Sequence, residues 1–112
     1  MIQLEQATSS VTLVAPEFAE LTAANADSFK RRMVDLIEDG HSRIVIDMGS
    51  VSVVDSAGIG ALVGLLKRIG LRGEMVLCGL SDRVGRAFQL TRMDRIFPIH
   101  ADRTLALRAM GG

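Results

Sequence analysis

The hydrophobic residues of this chain follow two spacings, and the N-terminal residues show the shorter one. In residues 2–7 and 11–15 apolar and polar side chains alternate, and the polar tripeptide Thr8-Ser9-Ser10 separates the two runs. This alternation predicts a β-hairpin in which each strand keeps one face wetter than the other. We therefore expect the hairpin near the edge of a sheet.

Two later runs are apolar almost throughout, which is typical of strands that are covered on both faces. Residues 43–48 and 74–78 are rich in aliphatic side chains and are bounded by turn-forming residues. They predict buried strands, and we expect residues 43–48 at the centre of the sheet. A last short strand is predicted over residues 96–99, where Pro98 fits only a sheet edge or a strand end.

Spacings of three and four residues mark the segment that follows the hairpin. Thr22 is its predicted N-cap, Asp39-Gly40 is its predicted stop, and Asp27 and Arg31 lie one turn apart on the polar face, where they form a favourable pair. The apolar positions at helical spacing are Ala26, Phe29, Met33, Leu36 and Ile37. This segment is therefore predicted to be an amphipathic helix.

Three further helices are predicted in the second half of the chain. One covers residues 59–69 after a loop, one covers residues 81–90 with Ser81 as its N-cap, and one covers residues 101–110. The predicted apolar stripe of the first of these helices is Ile59, Leu62, Val63, Leu66 and Ile69.

The predicted order of elements is β-β-α-β-α-β-α-β-α, which implies an α/β domain with a mixed sheet. The later strands would be parallel and joined by right-handed crossovers, and the N-terminal hairpin would add an antiparallel margin. We expect one domain over residues 1–112, because this length leaves no room for a second one.

Composition limits the partners and the compartment. The chain is 48% hydrophobic, so it can form a core without metal or disulfide staples. Its 13 basic and 13 acidic residues give zero net charge, which argues against nucleic acid as a partner. A single cysteine, no secretory signal and no apolar run of bilayer length predict a cytoplasmic protein without membrane insertion.

Few residues offer metal, cofactor or nucleophilic chemistry. His41, His100 and Cys78 stand alone, without the spacing that a zinc site needs, so no metal is expected. Cys78 lies in an apolar run, where burial raises the pKa of a thiol, and is expected to be inert. The glycines of residues 58–64 have the spacing Gly-x-Gly-x-x-x-Gly, which differs from the dinucleotide fingerprint, so no cofactor is expected.

Three small residues of the same segment leave one side of the predicted helix nearly bare. They are Gly58, Ala61 and Gly64. Either the sheet or another protein can approach the helix backbone closely on such a side.

Ser56 is the most distinctive candidate functional residue, because it lies between a predicted strand end and a helix start. The α/β domains place their binding sites at such positions. As a plain N-cap its hydroxyl would contribute about 1 kcal/mol. As a phosphorylation site it would gain a charge of about −1.5 to −2 beside Asp55, and the phosphate would accept hydrogen bonds from free N–H groups of the helix start. The sequence shows no recognisable motif that would supply Ser56 with a general base and an orienting group, which disfavours a serine enzyme.

The residues around Ser56 carry a resemblance to a known family. Ile44-Val-Ile-Asp47, Val54-Asp-Ser-Ala-Gly-Ile-Gly60, the segment from Ala61 to Lys67 and the run from Gly73 to Cys78 resemble the STAS domain of bacterial anti-sigma factor antagonists. The resemblance covers nearly the whole chain. Its most specific element is Asp-Ser-x-Gly-hydrophobic-Gly.

The resemblance implies a non-enzymatic antagonist that binds an anti-sigma factor and so releases a sigma factor. That partner would be a serine kinase of the GHKL ATPase type, which phosphorylates the serine after the motif aspartate, here Ser56, and so breaks the complex; a PP2C-type phosphatase would reset it. Ala57 departs from the many members with Ser or Thr at its position, which leaves Ser56 as the only acceptor within the motif. The implied partner contacts are Asp55, Ser56, Ala57, Gly58, Ile59, Gly60, Ala61 and Gly64.

Two other functions stay open at this point. The chain is suited to a constitutive STAS subunit of a stress-signalling scaffold or lipid-transport complex, with Ser56 as a plain helix cap. A small nucleotide-binding enzyme would instead be stabilised by its ligand, which a thermal-shift screen with ATP, GTP and NAD tests.

Overall fold

The computed structural model describes residues 1–111, and it shows two sheets and four α-helices in that part of the chain. The strands are β1 (Ile2–Gln6), β2 (Thr12–Pro16), β3 (Glu20–Leu21), β4 (Arg43–Asp47), β5 (Val53–Val54), β6 (Glu74–Cys78) and β7 (Ile99–His100). The helices are α1 (Ala26–Glu38), α2 (Ser56–Ile69), α3 (Asp82–Leu90) and α4 (Arg103–Ala109), with short 3-10 turns at Gly70–Arg72 and Met93–Arg95. Gly112, which the predicted domain includes, lies outside the described residues.

The main sheet has five strands in the order β1-β2-β4-β6-β7. β1 pairs antiparallel with β2, and the other neighbours are parallel. The predicted mixed sheet is therefore confirmed, with the hairpin as its antiparallel margin and β4 as its middle strand.

The two faces of this sheet carry two separate groups of buried side chains. The larger group joins one face to α1, α2 and α3, with Phe29, Leu62 and Phe88 among its members. The smaller group joins the other face to α4, with Ala106 and Met110 from the C-terminal segment.

β2 corrects the expectation that both hairpin strands have a wetter face. Leu13 belongs to the group beside α4, and Val14 belongs to the group on the opposite face. The polar residue Thr12 is buried as well, with 3% exposure, and its hydroxyl lies 2.7 Å from Nδ1 of His41. β2 is covered because it lies between β1 and β4, so of the two hairpin strands it is β1 that forms an exposed edge.

The structure also corrects the predicted start of α1. The N-cap position belongs to Asn25, and Thr22 lies in the turn before it, where its backbone carbonyl accepts a hydrogen bond from the amide of Ala26 at 2.8 Å. Asp39 and Gly40 end the helix as predicted, with Gly40 at a positive φ of 101°. Asp27 and Arg31 are both exposed, and they form no ion pair within residues 1–111.

The last predicted strand is shorter and begins later than its sequence pattern indicated. Pro98 precedes β7, and its carbonyl accepts a hydrogen bond from the amide of Leu77 at 3.0 Å. Because proline has no N–H, it contributes only an acceptor to the sheet. The last helix begins at Arg103, since Asp102 accepts from the amide of Leu105 as its N-cap.

Candidate partner-binding site at the start of helix α2

A second, two-stranded sheet carries the chain from the central strand to α2. β3 and β5 are two residues each and pair in parallel. The amide of Ser52 donates to the carbonyl of Ala19 at 2.7 Å, and the amide of Asp55 donates to the carbonyl of Leu21 at 3.2 Å. The segment predicted as a loop is therefore fixed to the residues just before α1.

Asp55 is the N-cap of α2. Its Oδ1 accepts from the amide of Gly58 at 2.9 Å, and its Oδ2 accepts from the amide of Ala23 at 3.0 Å. These hydrogen bonds, that from Gly58 first, lower the pKa of the Asp55 carboxyl below its ordinary value. The ionised carboxylate thus ties the start of α2 to the turn that precedes α1.

Ser56 is the first residue of α2, three positions earlier than the predicted helix start. Its side chain is exposed, and its hydroxyl makes no hydrogen bond within the described chain. The interpretation of Ser56 as a plain N-cap is therefore wrong, since Asp55 fills that role. Free N–H groups of the helix start were expected to be available to a phosphate, and one of them, the N–H of Gly58, is already bonded to Asp55.

The side of α2 that carries small residues is buried in one part and exposed in another. Gly58 and Ala61 are buried, and a Cβ at Gly58 would lie 2.3 Å from the carbonyl oxygen of Leu21. The glycine is needed there because the backbone of the segment before α1 passes over the helix. Of the implied partner contacts, Gly58 and Ala61 therefore lie inside the domain.

The open part of α2 begins at Ser56 and continues one turn later at Gly60. Gly60 is exposed, and a Cβ there would meet nothing within 4 Å. Ala57 and Ile59 are half-buried. Gly64 is half-buried as well, and the stem of Lys30 from α1 crosses it, so that a Cβ would lie 2.6 Å from Nζ.

The apolar stripe of α2 was predicted only in part. Leu62 and Ile69 are buried, but Leu65 is buried in place of its half-buried neighbours Val63 and Leu66. Both α1 and the sheet contact α2, so its buried surface is rotated toward the side that carries Ala61 and Leu65.

Sequence reasoning missed the contact between Asp55 and Ala23. A strand of two residues has no periodicity to detect, and Ala23 carries no polar side chain that would mark it as a partner. The N-cap role of Asp55 did have a signal, since Asp directly before a helical segment is a preferred N-cap residue.

Other reactive groups lie away from this site. Burial is the main cause that raises the pKa of the Cys78 thiol to about 12, and the nearby Asp47 carboxylate adds to it. In residues 1–111 no three His, Cys, Asp or Glu side chains gather as metal ligands do. In the same residues no helix has the length and apolar character to cross a membrane.

The fold and the site together define a small α/β domain whose candidate site is an exposed surface at a helix start. The sequence profile of the STAS domain family matches residues 3–106, and the chain belongs to that family.

Two relatives share this sequence pattern over most of their length. BtrV of Bordetella bronchiseptica, provisionally named an anti-sigma factor antagonist, is 29% identical over 90 residues, which cover 80% of this chain and 78% of BtrV. The anti-sigma-B factor antagonist of Staphylococcus aureus is 29% identical over 82 residues, which cover 72% of this chain and 76% of that protein.

Solved structures share the fold as well. A Thermotoga maritima protein, provisionally named an anti-sigma factor antagonist, has a TM-score of 0.89 at 27% identity, with 96% of this chain and 92% of that chain covered. The anti-sigma factor antagonist SpoIIAA in its unphosphorylated form has a TM-score of 0.73 at 21% identity over 100% of this chain and 99% of its own. The phosphorylated form of the Bacillus protein SpoIIAA has a TM-score of 0.71 at 20% identity, with 97% of this chain and 99% of that chain covered.

Proposed function

We propose that this chain is an anti-sigma factor antagonist that binds its anti-sigma factor through the α2 start surface, and that phosphorylation of Ser56 switches this binding off. The α2 start surface consists of Ser56, Ala57, Ile59 and Gly60, with Asp55 at its edge. The kinase is the anti-sigma factor itself, of the GHKL ATPase type, and a PP2C-type phosphatase restores the binding form.

One observation is the main support for the phosphorylation switch. The Ser56 hydroxyl is exposed and makes no hydrogen bond within the described residues. Because Asp55 caps α2, a phosphate on Ser56 removes no hydrogen bond of the fold. The relatives named as antagonists, and the two forms of SpoIIAA, support this assignment.

Electrostatics explains why the phosphate would change binding more than folding. The phosphate adds a charge of about −1.5 to −2 next to the ionised Asp55 carboxylate. A partner that packs against Ser56 and Gly60 would then have to desolvate two adjacent negative groups. The exposed side chain itself stays in water, so the free energy of unfolding changes little.

The first test is phosphorylation by candidate anti-sigma kinases from the same genome, with intact mass and site mapping as the readout. We expect one phosphate on Ser56, its absence in Ser56→Ala, and loss of the complex after phosphorylation. Ser81→Ala is the matched control, because Ser81 is an exposed serine at the start of α3, and it should be phosphorylated like the wild type. A stable complex that transfers no phosphate in the presence of ATP would contradict the switch and favour the constitutive subunit.

The second test maps the binding surface with Gly60→Leu. The added side chain points into open space, so it should block a partner while the melting temperature stays near that of the wild type. Gly85→Leu on α3 is the control, since a Cβ at Gly85 also meets nothing within 4 Å. Wild-type binding by Gly60→Leu would place the partner elsewhere, and equal loss in both variants would show that the effect is not specific to the α2 start surface.

A further inference from the structure

The C-terminal helix α4 covers one face of the sheet, and the buried group on that face is the smaller of the two. From the C-terminal segment, Ala106 and Met110 are buried and Leu107 is half-buried, whereas Leu105 is 43% exposed. These side chains pack on the sheet residues Val11, Leu13, Val45, Val76 and Cys78. On the opposite face, three helices share one large buried group. Since apolar burial stabilises docking in proportion to area, this smaller group holds α4 less firmly than the larger group holds the three helices opposite, and polar contacts supply a larger share of its docking.

The first of these contacts joins the start of α4 to the end of the central strand. Arg103 donates to Oδ2 of Asp47 from Nε at 2.8 Å, and its Nη2 lies 2.7 Å from the same oxygen. Asp47 is held independently, because its Oδ1 accepts from the amide of Gly49 at 2.9 Å. The Asp47 carboxylate therefore stays in position for Arg103 without help from α4.

The second contact joins the end of α4 to the beginning of the same strand. The Arg43 guanidinium donates to the carbonyl oxygen of Met110. Arg43 and Asp47 are the first and last residues of β4. Helix α4 therefore lies along the central strand in the opposite direction, held at both ends.

We infer that α4 undocks from the sheet as a unit while the rest of the domain stays folded. The strength of the Asp47–Arg103 ion pair sets how often this opening occurs. A segment that is held by fewer buried apolar contacts than the rest of its domain opens at a lower free energy than the whole domain. This inference is independent of the proposed function, because neither Arg103 nor Asp47 belongs to the α2 start surface.

Cys78 provides a natural reporter for the opening. It is the single cysteine of the chain, it is 0% exposed, and it belongs to the buried group beneath α4. Thiol reagents need an accessible thiolate, which the docked state denies by burial. Modification of Cys78 therefore requires that this group be uncovered, which α4 undocking and global unfolding both do.

The experiment measures the rate of Cys78 modification by a thiol reagent at increasing urea and compares it with equilibrium unfolding of the same protein. We expect the wild type to react faster than global unfolding allows, with a weak urea dependence. Arg103→Gln should raise the rate in the absence of urea by about threefold to tenfold, as expected for loss of one partly exposed, charge-assisted pair.

Two further variants make the test specific. Arg108→Gln removes the same charge from an exposed position of α4 that forms no ion pair in the described chain, and it should leave the rate unchanged. Asp47→Asn should match Arg103→Gln, and the double variant should add little, because both changes remove one interaction.

The inference fails under either of two results. One is a Cys78 rate that equals the rate set by global unfolding in the wild type and in Arg103→Gln. The other is an equal increase in Arg103→Gln and Arg108→Gln, since net charge rather than the pair would then control the opening.

Discussion

Helices α2 and α3 begin with the same two residue types in opposite order. Asp55-Ser56 opens α2 and Ser81-Asp82 opens α3. In α2 the carboxylate of Asp55 accepts the amide of Gly58 at 2.9 Å, and in α3 the hydroxyl of Ser81 accepts the amide of Val84 at 3.2 Å. Each first residue is the N-cap, and each second residue lies in the helix.

This difference shows that order, and not composition, decides which hydroxyl is available for chemistry. Ser81 is exposed but is used by the fold, whereas Ser56 is exposed and unused. Asp55 also reaches a second segment through the amide of Ala23, so the N-cap of α2 joins two parts of the chain. Asp82, at the position equivalent to Ser56, carries no hydroxyl.

The largest expected effect concerns a negative charge at Ser56, the first residue of α2. Ser56→Glu should lower affinity for the anti-sigma factor more than about 100-fold, because like or desolvated charges in an interface cost several kcal/mol. Its melting temperature should stay near that of the wild type. Titration calorimetry checks the affinity, and Ser81→Glu, which loses an N-cap, should show the reverse pattern of lower stability and retained binding. Wild-type affinity in Ser56→Glu would show that charge is not the switch.

The next effect separates the two glycines of the α2 start. Gly58→Ala should lower the free energy of unfolding by about 1–3 kcal/mol, since its Cβ would collide with the backbone at Leu21. Gly60→Ala should raise it by about 0.5–1 kcal/mol, because alanine favours a helix and meets open space. Urea unfolding of both variants measures the difference. Changes of the same sign would mean that the packing of α2 differs from the one described.

A smaller effect tests whether Ser81, and not Ser56, caps its helix. Ser81→Ala should lower the free energy of unfolding by about 1 kcal/mol through loss of the N-cap. Ser56→Ala should change it by less than about 0.5 kcal/mol, as expected at an exposed position without a hydrogen bond. Denaturant melts of the pair provide the measurement. An equal loss in both variants would restore a capping role for Ser56.

The smallest effect is the acid dependence of the α2 cap. The folded-state pKa of Asp55 is lowered, so its contribution is present above the unfolded pKa of about 3.9 and is lost as the pH falls through the folded value. Asp55→Asn keeps an amide oxygen for the cap but removes the charge. Its stability should therefore decline less steeply than that of the wild type below about pH 4, in urea melts at several pH values.

An exposed carboxylate elsewhere is the control for this pH effect. Asp94→Asn changes the net charge by the same amount outside the α2 start. A pH profile of Asp94→Asn that flattens as much as that of Asp55→Asn would assign the effect to overall charge.

The sequence by itself determined the elements whose signal is local. The apolar runs at residues 43–48 and 74–78 predicted buried strands, and helical spacing predicted the apolar face of α1 residue by residue. Side-chain periodicity follows from backbone geometry within one element, so it is readable without knowledge of the neighbours. The resemblance around Ser56 led to the STAS family for the same reason, because its motif is a continuous run.

The tertiary structure decided which faces meet and which polar groups are used. Leu21 lies over Gly58, Ala23 donates to Asp55, and α4 is fastened to both ends of β4 by residues far apart in the chain. Periodicity states that a face is apolar but not what covers it, and a two-residue strand leaves no pattern. The free hydroxyl of Ser56 is therefore a property of the folded chain, since it depends on Asp55 having taken the cap.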